Sequence, residues 1–178
     1  MQMKHYFRLC FLFLSRYWRP RIDFLDKSIL SLRVWPTDID LLIHMNNGVY
    51  LSLMDLGRMD LTLRSGFYEV LTRNKIYPVL ASEAIRFRKS LKPFQSFEIQ
   101  TELLSWDEKY FFLKQQFVSH DELYASAIVK ARFLRKSGGK VDPDEIFRLL
   151  KISEEKLNAQ LKKLDALEDY KNLESHLN

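Results

Sequence analysis

Asp38-Ile39-Asp40-Leu41-Leu42-Ile43-His44-Met45-Asn46-Asn47-Gly48-Val49-Tyr50 is the densest polar cluster of the chain, and it stands where a short strand gives way to the longest helix. Upstream, Leu30, Leu32 and Val34 alternate with Ile29, Ser31 and Arg33 over residues 28–34, the period-two pattern of a strand, until Pro36, Thr37 and Asp38 stop it. Downstream, Val49, Leu53, Leu56, Leu61 and Leu63 recur at near-helical spacing over residues 48–65. Asp55, Arg58 and Asp60 supply the wet side, and Gly66 ends the run. At such a junction Asn46 or Asn47 suits a helix cap, and Asp38 or Asp40 suits a loop.

Beyond Gly66 a short helix is predicted over residues 67–73, and then the periodicity changes. Residues 78–91, 94–106, 109–120 and 122–136 read as strands. Phe97, Ile99, Thr101 and Leu103 alternate with charged or polar neighbours, as do Ala125, Ala127, Val129, Ala131 and Phe133. Lys92-Pro93, Asp107-Glu108 and His120-Asp121 leave room only for tight connections, which makes the sheet antiparallel, because a parallel crossover needs a dozen or more residues. Gly138-Gly139 is expected to end the sheet, with Asp142 as N-cap and Pro143 at the first helical position of a helical tail. There Leu157, Leu161, Leu164 and Leu167 make an apolar stripe.

The element order predicts an α+β fold, a long central helix wrapped by a curled antiparallel sheet, with N-terminal and C-terminal helical extensions. The expected organisation is an extension over residues 1–27, one domain over 28–140 and a tail over 141–178. An uncovered sheet edge or face invites a second copy, so a homodimer or homotetramer is expected.

Composition narrows the function. Glycine and proline total ten in 178 residues, and neither GxGxxG nor GxxxxGK[ST] occurs, which argues against a nucleotide-cradling loop. The one cysteine, Cys10, rules out an internal disulfide and fits a reducing, cytoplasmic setting. His5, His120 and His176 have no partner at metal-ligand spacing, and no GxSxG is present. The net charge of +5 is uneven. Residues 1–33 and 64–92 each carry seven Lys/Arg against two Asp/Glu. That asymmetry suits a phosphate-bearing ligand or an anionic membrane surface, while the motifs of nucleic-acid binders are missing. The apolar run at residues 6–14 is interrupted by Arg8 and closed by Arg16, Arg19 and Arg21, too short to span a bilayer. Docking against the body or a partner is the preferred reading, ahead of peripheral membrane contact through residues 1–21 and then of a cleaved signal, for which no small-x-small site follows.

The block around Asp40 resembles the D-x-D-x-x-G-H-x-N-N-x-x-Y pattern of hot-dog-fold thioesterases related to 4-hydroxybenzoyl-CoA thioesterase, and within them the group of thioesterase superfamily member 6. Asp38, Asp40, His44, Asn46, Asn47 and Tyr50 carry the match, which continues in Met54-Asp55-Leu56-Gly57-Arg58, in Arg86-Phe87-Arg88-Lys89-Ser90-Leu91 and in Trp106-Asp107. One position departs from the pattern: the usual glycine before the histidine is Ile43, and Leu41 and Leu42 precede it, giving a bulkier and more apolar loop.

The resemblance implies hydrolysis of acyl-CoA or acyl-carrier-protein thioesters without metal or organic cofactor, with Asp40 as nucleophile or general base. His44 and Asn47 would orient the water, the carboxylate or the carbonyl. Backbone N–H groups near Gly48, Val49 and Tyr50 would face the developing oxyanion, where a helix start presents its positive end. Arg86, Arg88 and Lys89 suit the phosphates of coenzyme A, or else a solvated sheet face. Glu83 on the same strand has a structural reading ahead of a functional one. A different reading is a non-catalytic acyl-ligand binder or membrane-associated scaffold with the same fold, and a dehydratase of that fold is a third.

Overall fold

The structure is a computed structural model that describes residues 3–165, with side chains from residue 7 to residue 160. Helix α1 (Met3–Ser15) is followed by strand β1 (Ser28–Arg33), a single 3-10 turn (Pro36–Asp38) and the central helix α2 (Asn47–Arg64). Helix α3 (Phe67–Arg73) leads into strands β2 (Ile76–Phe87), β3 (Ser96–Trp106), β4 (Phe111–Ser119), β5 (Glu122–Arg135) and β6 (Lys140–Val141), then helices α4 (Pro143–Leu149) and α5 (Glu154–Asp165). The side chains of His5, His176, Leu161, Leu164 and Leu167 lie outside the described residues.

The described strands form one antiparallel sheet in the order β1-β3-β4-β5-β2, with β6 also on β5. Helix α2 lies on one face of it. Phe97, Ile99, Thr101 and Leu103 are buried, as are Ala125, Ala127, Val129, Ala131 and Phe133, so the alternation seen in the sequence marks the face that meets the helix. Gly57 lets helix and sheet approach closely: a Cβ there would lie 2.8 Å from Ile99 Cγ2 and Thr101 Oγ1 and 2.9 Å from Gln115 Nε2. Buried Gln115 donates to the Met54 carbonyl (3.0 Å) and to Thr101 Oγ1 (2.9 Å) and accepts from Arg58 (2.8 Å), which satisfies its amide inside the core.

The extensions share this core. Leu12 of α1 packs with Leu53, Leu56 and the rest of the helix–sheet cluster, while Phe24, Ile146 and Phe147 join Phe67, Phe111 and Phe133 in a second cluster. Cys10 is free and exposed.

Several boundaries differ from expectation. Strand β2 starts at Ile76 and stops at Phe87 instead of running to Leu91, because the amides of Arg88 and Lys89 both bond to the Tyr124 carbonyl (2.8 and 3.1 Å) and end the ladder. Pro78 is tolerated inside β2 because β2 pairs only with β5 and presents an open edge. Gly138 and Gly139, at φ +94° and +99°, make a turn instead of ending the sheet, and β6 then pairs back onto β5. Asp142 precedes α4 as predicted, yet its side chain makes no cap hydrogen bond. The β4–β5 connection is as tight as expected: His120 and Asp121 both have positive φ (49° and 61°), as a two-residue type I′ hairpin requires.

Candidate active site

Residues 39–45 fold into a narrow finger ahead of α2. Ile39 and Met45 form an isolated antiparallel bridge, the Asp40 amide donates to the His44 carbonyl (2.9 Å), and the Ile43 amide donates to the Asp40 carbonyl (3.1 Å). The tip is Leu41-Leu42-Ile43. A three-residue loop of this kind puts its last residue in the left-handed region, and Ile43 sits at φ +60°. This is the physical reason for glycine at that position of the pattern. A β-branched side chain there costs energy. Ile43→Gly is therefore expected to raise unfolding stability by about 1 kcal/mol, the relief of strain outweighing the entropy glycine returns to the unfolded chain; urea titration checks it.

The finger holds the Asp40 carboxylate by one oxygen. Asp40 Oδ1 accepts from the amides of Leu42 (2.8 Å) and His44 (3.4 Å), while Oδ2 has no hydrogen bond among the described residues. Asp40 and His44 are half-buried. Asp38, two residues earlier, has a different fate. It is fully buried, accepts from the Trp35 amide (2.9 Å), and is gripped by both terminal nitrogens of Arg8 (2.6 and 3.3 Å). Arg8 also donates to the Arg33 carbonyl (3.0 Å) and lies 4.4 Å from the Trp35 ring centroid. The first aspartate of the pair is thus structural, which leaves Asp40 as the carboxylate presented outward.

Asn46 caps α2: its side chain accepts from the Gly48 amide (2.8 Å) and its carbonyl accepts from the Val49 amide (2.9 Å). Two of the three amides expected to face an oxyanion are therefore engaged. The amide and side chain of exposed Asn47 make no such bond among the described residues. Tyr50 is buried beneath the finger, its ring against Phe87 and Phe117 (centroids 5.1 and 4.8 Å) and its hydroxyl accepting from the Leu91 amide (3.2 Å); burial pushes the phenol up from its usual pKa.

The predicted phosphate contacts are less coherent. Phe87 meets Tyr50 on the helix-facing side, so strand alternation sends Arg86 to the opposite face of the sheet, away from Asp40 of the same chain. Lys89 is taken by Glu122 (2.7 Å), which raises its pKa and lowers that of the carboxyl; Arg88 is exposed and in no ion pair among the described residues. Glu83 faces α2 and lies 3.5 Å from Arg58, which also binds Asp55 and Gln115.

Sequence reading missed Arg8 as the partner of Asp38. The signal was present: Arg8, Leu12 and Ser15, all buried, share the i, i+4, i+7 face of α1, so a cation stands among the residues that dock the helix. A cavity of about 730 Å³ opens between α1 and the β1 edge, lined in part by Phe7, Phe11, Trp35, Phe97 and His120; none of Asp40, His44 or Asn47 lines it. Among the described residues no three His, Cys, Asp or Glu side chains converge to hold a metal.

Residues 34–162, more than half of the chain, match the thioesterase-like superfamily. The chain belongs to that superfamily. It is 38% identical over 110 residues to Protein THEM6 of Xenopus laevis, a match covering 62% of this chain and 53% of that protein. To Protein THEM6 of Danio rerio it is 36% identical over 113 residues, covering 64% and 56%. The chain spans about half the length of these curated relatives. Among solved structures, a DHNA-CoA thioesterase from Staphylococcus aureus superposes with a TM-score of 0.62 at 15% identity, over 81% of this chain and 94% of that one. A gentisyl-coenzyme A thioesterase gives 0.61 at 20%, over 68% and 99%. These likenesses show the hot-dog fold that the sequence resemblance implied for this superfamily member.

Proposed function

We propose that this chain hydrolyses acyl thioesters of coenzyme A or of acyl-carrier protein, with Asp40 as nucleophile or as general base. The observation that carries the reading is the Asp40 carboxylate, oriented through Oδ1 by two backbone amides and open at Oδ2, beside the start of α2. As nucleophile, Oδ2 attacks the carbonyl carbon, the C–S bond breaks, the thiolate leaves, and water then cleaves the mixed anhydride. As base, it takes a proton from the water that attacks. In either case the oxyanion is met by the positive end of α2, with Asn47 N–H the unengaged donor and His44 within the same loop. Family membership and thioesterase relatives support the reaction class. The open β2 edge supports a homodimer, in which Arg86, turned away from its own Asp40, and Arg88 are available to phosphates bound near a partner's site.

One observation favours a second reading, an acyl-thioester binder without useful turnover: the Gly48 and Val49 amides, which would otherwise serve the oxyanion, are occupied by Asn46. A panel of acyl-CoAs of graded chain length and aromaticity, followed by release of free thiol, separates the two. Hydrolysis of at least one member, saturable and proportional to protein, is expected. Binding of the panel with no thiol released would establish the binder instead.

A further inference from the structure

The tip of the Asp40 finger has no structural explanation in the chain itself. Leu41, Leu42 and Ile43 are three consecutive aliphatic side chains at 101%, 76% and 68% exposure, and the third is held in a conformation that glycine adopts without strain. Water contact and backbone strain both disfavour this choice of residues. What the tip gains must therefore come from something that covers it.

Other exposed apolar groups gather at the same end. The Arg8 guanidinium joins the start of α1 to Asp38 and Trp35, the Phe94 amide donates to the Val34 carbonyl (3.0 Å), and the Met45 amide donates to the Leu91 carbonyl (2.9 Å). These links bring the start of α1, the end of β1, the finger and the 91–95 turn together. They place Phe7 (69% exposed), Trp35 (38%) and Phe94 (63%) around the base of the finger. Arg33 and Lys92, on these segments, and Arg88, three residues ahead of the 91–95 turn, are all exposed and in no ion pair among the described residues. Of the carboxylates there, Asp38 is paired with Arg8 and Glu122 with Lys89, while Asp40, with Oδ2 open, and Glu98 and Asp121 on the rim of the α1 cavity carry the opposite sign.

We propose that this end of the molecule docks on an anionic lipid bilayer, with Leu41, Leu42 and Ile43 inserted among the acyl chains and Trp35, Phe94 and the cations at headgroup level. A protruding three-residue finger is too small for the roughly 1,000 Å² of complementary surface that a stable protein interface needs. Insertion into lipid needs no complementary partner surface, since each aliphatic side chain is buried on its own account. Aromatic side chains at the rim and unpaired cations behind them match the layering of a bilayer surface. This assignment adds the finger to the contact expected of the N-terminal segment, in which α1 docks on the body through Arg8 and Leu12 and leaves Phe7, Phe11 and Leu14 exposed. Among the described residues no helix is long and apolar enough to cross a membrane.

The test is cosedimentation of the full chain with vesicles of phosphatidylcholine alone and with about one-third phosphatidylserine, with mass in solution followed by sedimentation velocity. Wild type is expected to pellet with the mixed vesicles, more weakly with neutral ones, and less at high salt. Leu41→Ser/Leu42→Ser/Ile43→Gly, which relaxes the backbone, is expected to lower the partition coefficient by about a hundredfold with unchanged circular dichroism. Phe94→Ser/Lys92→Ser, which leaves the Asp40 loop intact, is expected to lower it by about tenfold. Wild type that stays in solution, or a folded triple variant that pellets like wild type, overturns the proposal. So does a triple variant whose only change is loss of self-association, which would give the finger to a second copy of the chain. The readout does not depend on thioester hydrolysis.

Discussion

Arg8→Met is expected to lower the free energy of unfolding by about 3–5 kcal/mol, because it leaves a fully buried carboxylate without its cation. Asp38 is reached by both terminal nitrogens of Arg8 and by the Trp35 amide, and Arg8 is the cation that balances its charge. Methionine keeps the length and apolar stem of arginine, so the loss isolates the charge from the packing of α1. Adding Asp38→Leu to Arg8→Met removes the stranded charge and is expected to recover most of the stability, since apolar replacement of a whole buried pair is often neutral. Urea unfolding of the two variants beside wild type measures both effects; equal stability of Arg8→Met and wild type would mean that Asp38 does not depend on its cation.

Gly57→Val is expected to cost about 3 kcal/mol. The first carbon added at that position meets Ile99, Thr101 and Gln115 at under 3 Å, on two strands of the sheet, before any branch is counted. Relief requires α2 to move away from β3 and β4, which breaks the bonds of Gln115 to the Met54 carbonyl and from Arg58. Gly57→Ala adds one carbon and gains helix propensity worth about 1 kcal/mol, so its net loss should be smaller. Thermal unfolding of the pair gives the order, and a Gly57→Val protein as stable as wild type would show that the helix–sheet contact is looser than described.

What the sequence made legible follows from which forces are local. The period-two runs that form β3 and β5 and the apolar spacing of α2 record burial one residue at a time, so their faces could be read directly. Gly66, at φ +74°, ends α2 for a reason internal to its own backbone. Helix α3 falls on the predicted residues for the same kind of reason, between that glycine and a change of period. The distant pairings were not legible: Arg8 with Asp38, Lys89 with Glu122, and Gln115 with the carbonyl of Met54 join residues 30 or more positions apart. The site divides along the same line. Asp40 and the Asn46 cap lie in one short loop, and the amides that hold their side chains come from within four residues, so the sequence pattern located it. That Asn46 and not Asn47 takes the Gly48 amide, and which face of β2 meets α2 and so turns Arg86 away, depend on geometry that spacing does not encode. Ile43 stood out in the sequence as a departure, but its positive φ, and with it the cost of an exposed aliphatic tip, became visible only in the backbone.

The central claim is that Asp40 acts on a thioester. The most direct measurement is the rate of thiol release by wild type and Asp40→Asn on the best acyl-CoA, with acyl-CoA affinity measured separately on both. Asparagine keeps the size and can still accept from the Leu42 amide, so the finger is retained. The account predicts a fall in kcat of about a thousandfold with affinity changed little. An Asp40→Asn protein that turns over at the wild-type rate would contradict it.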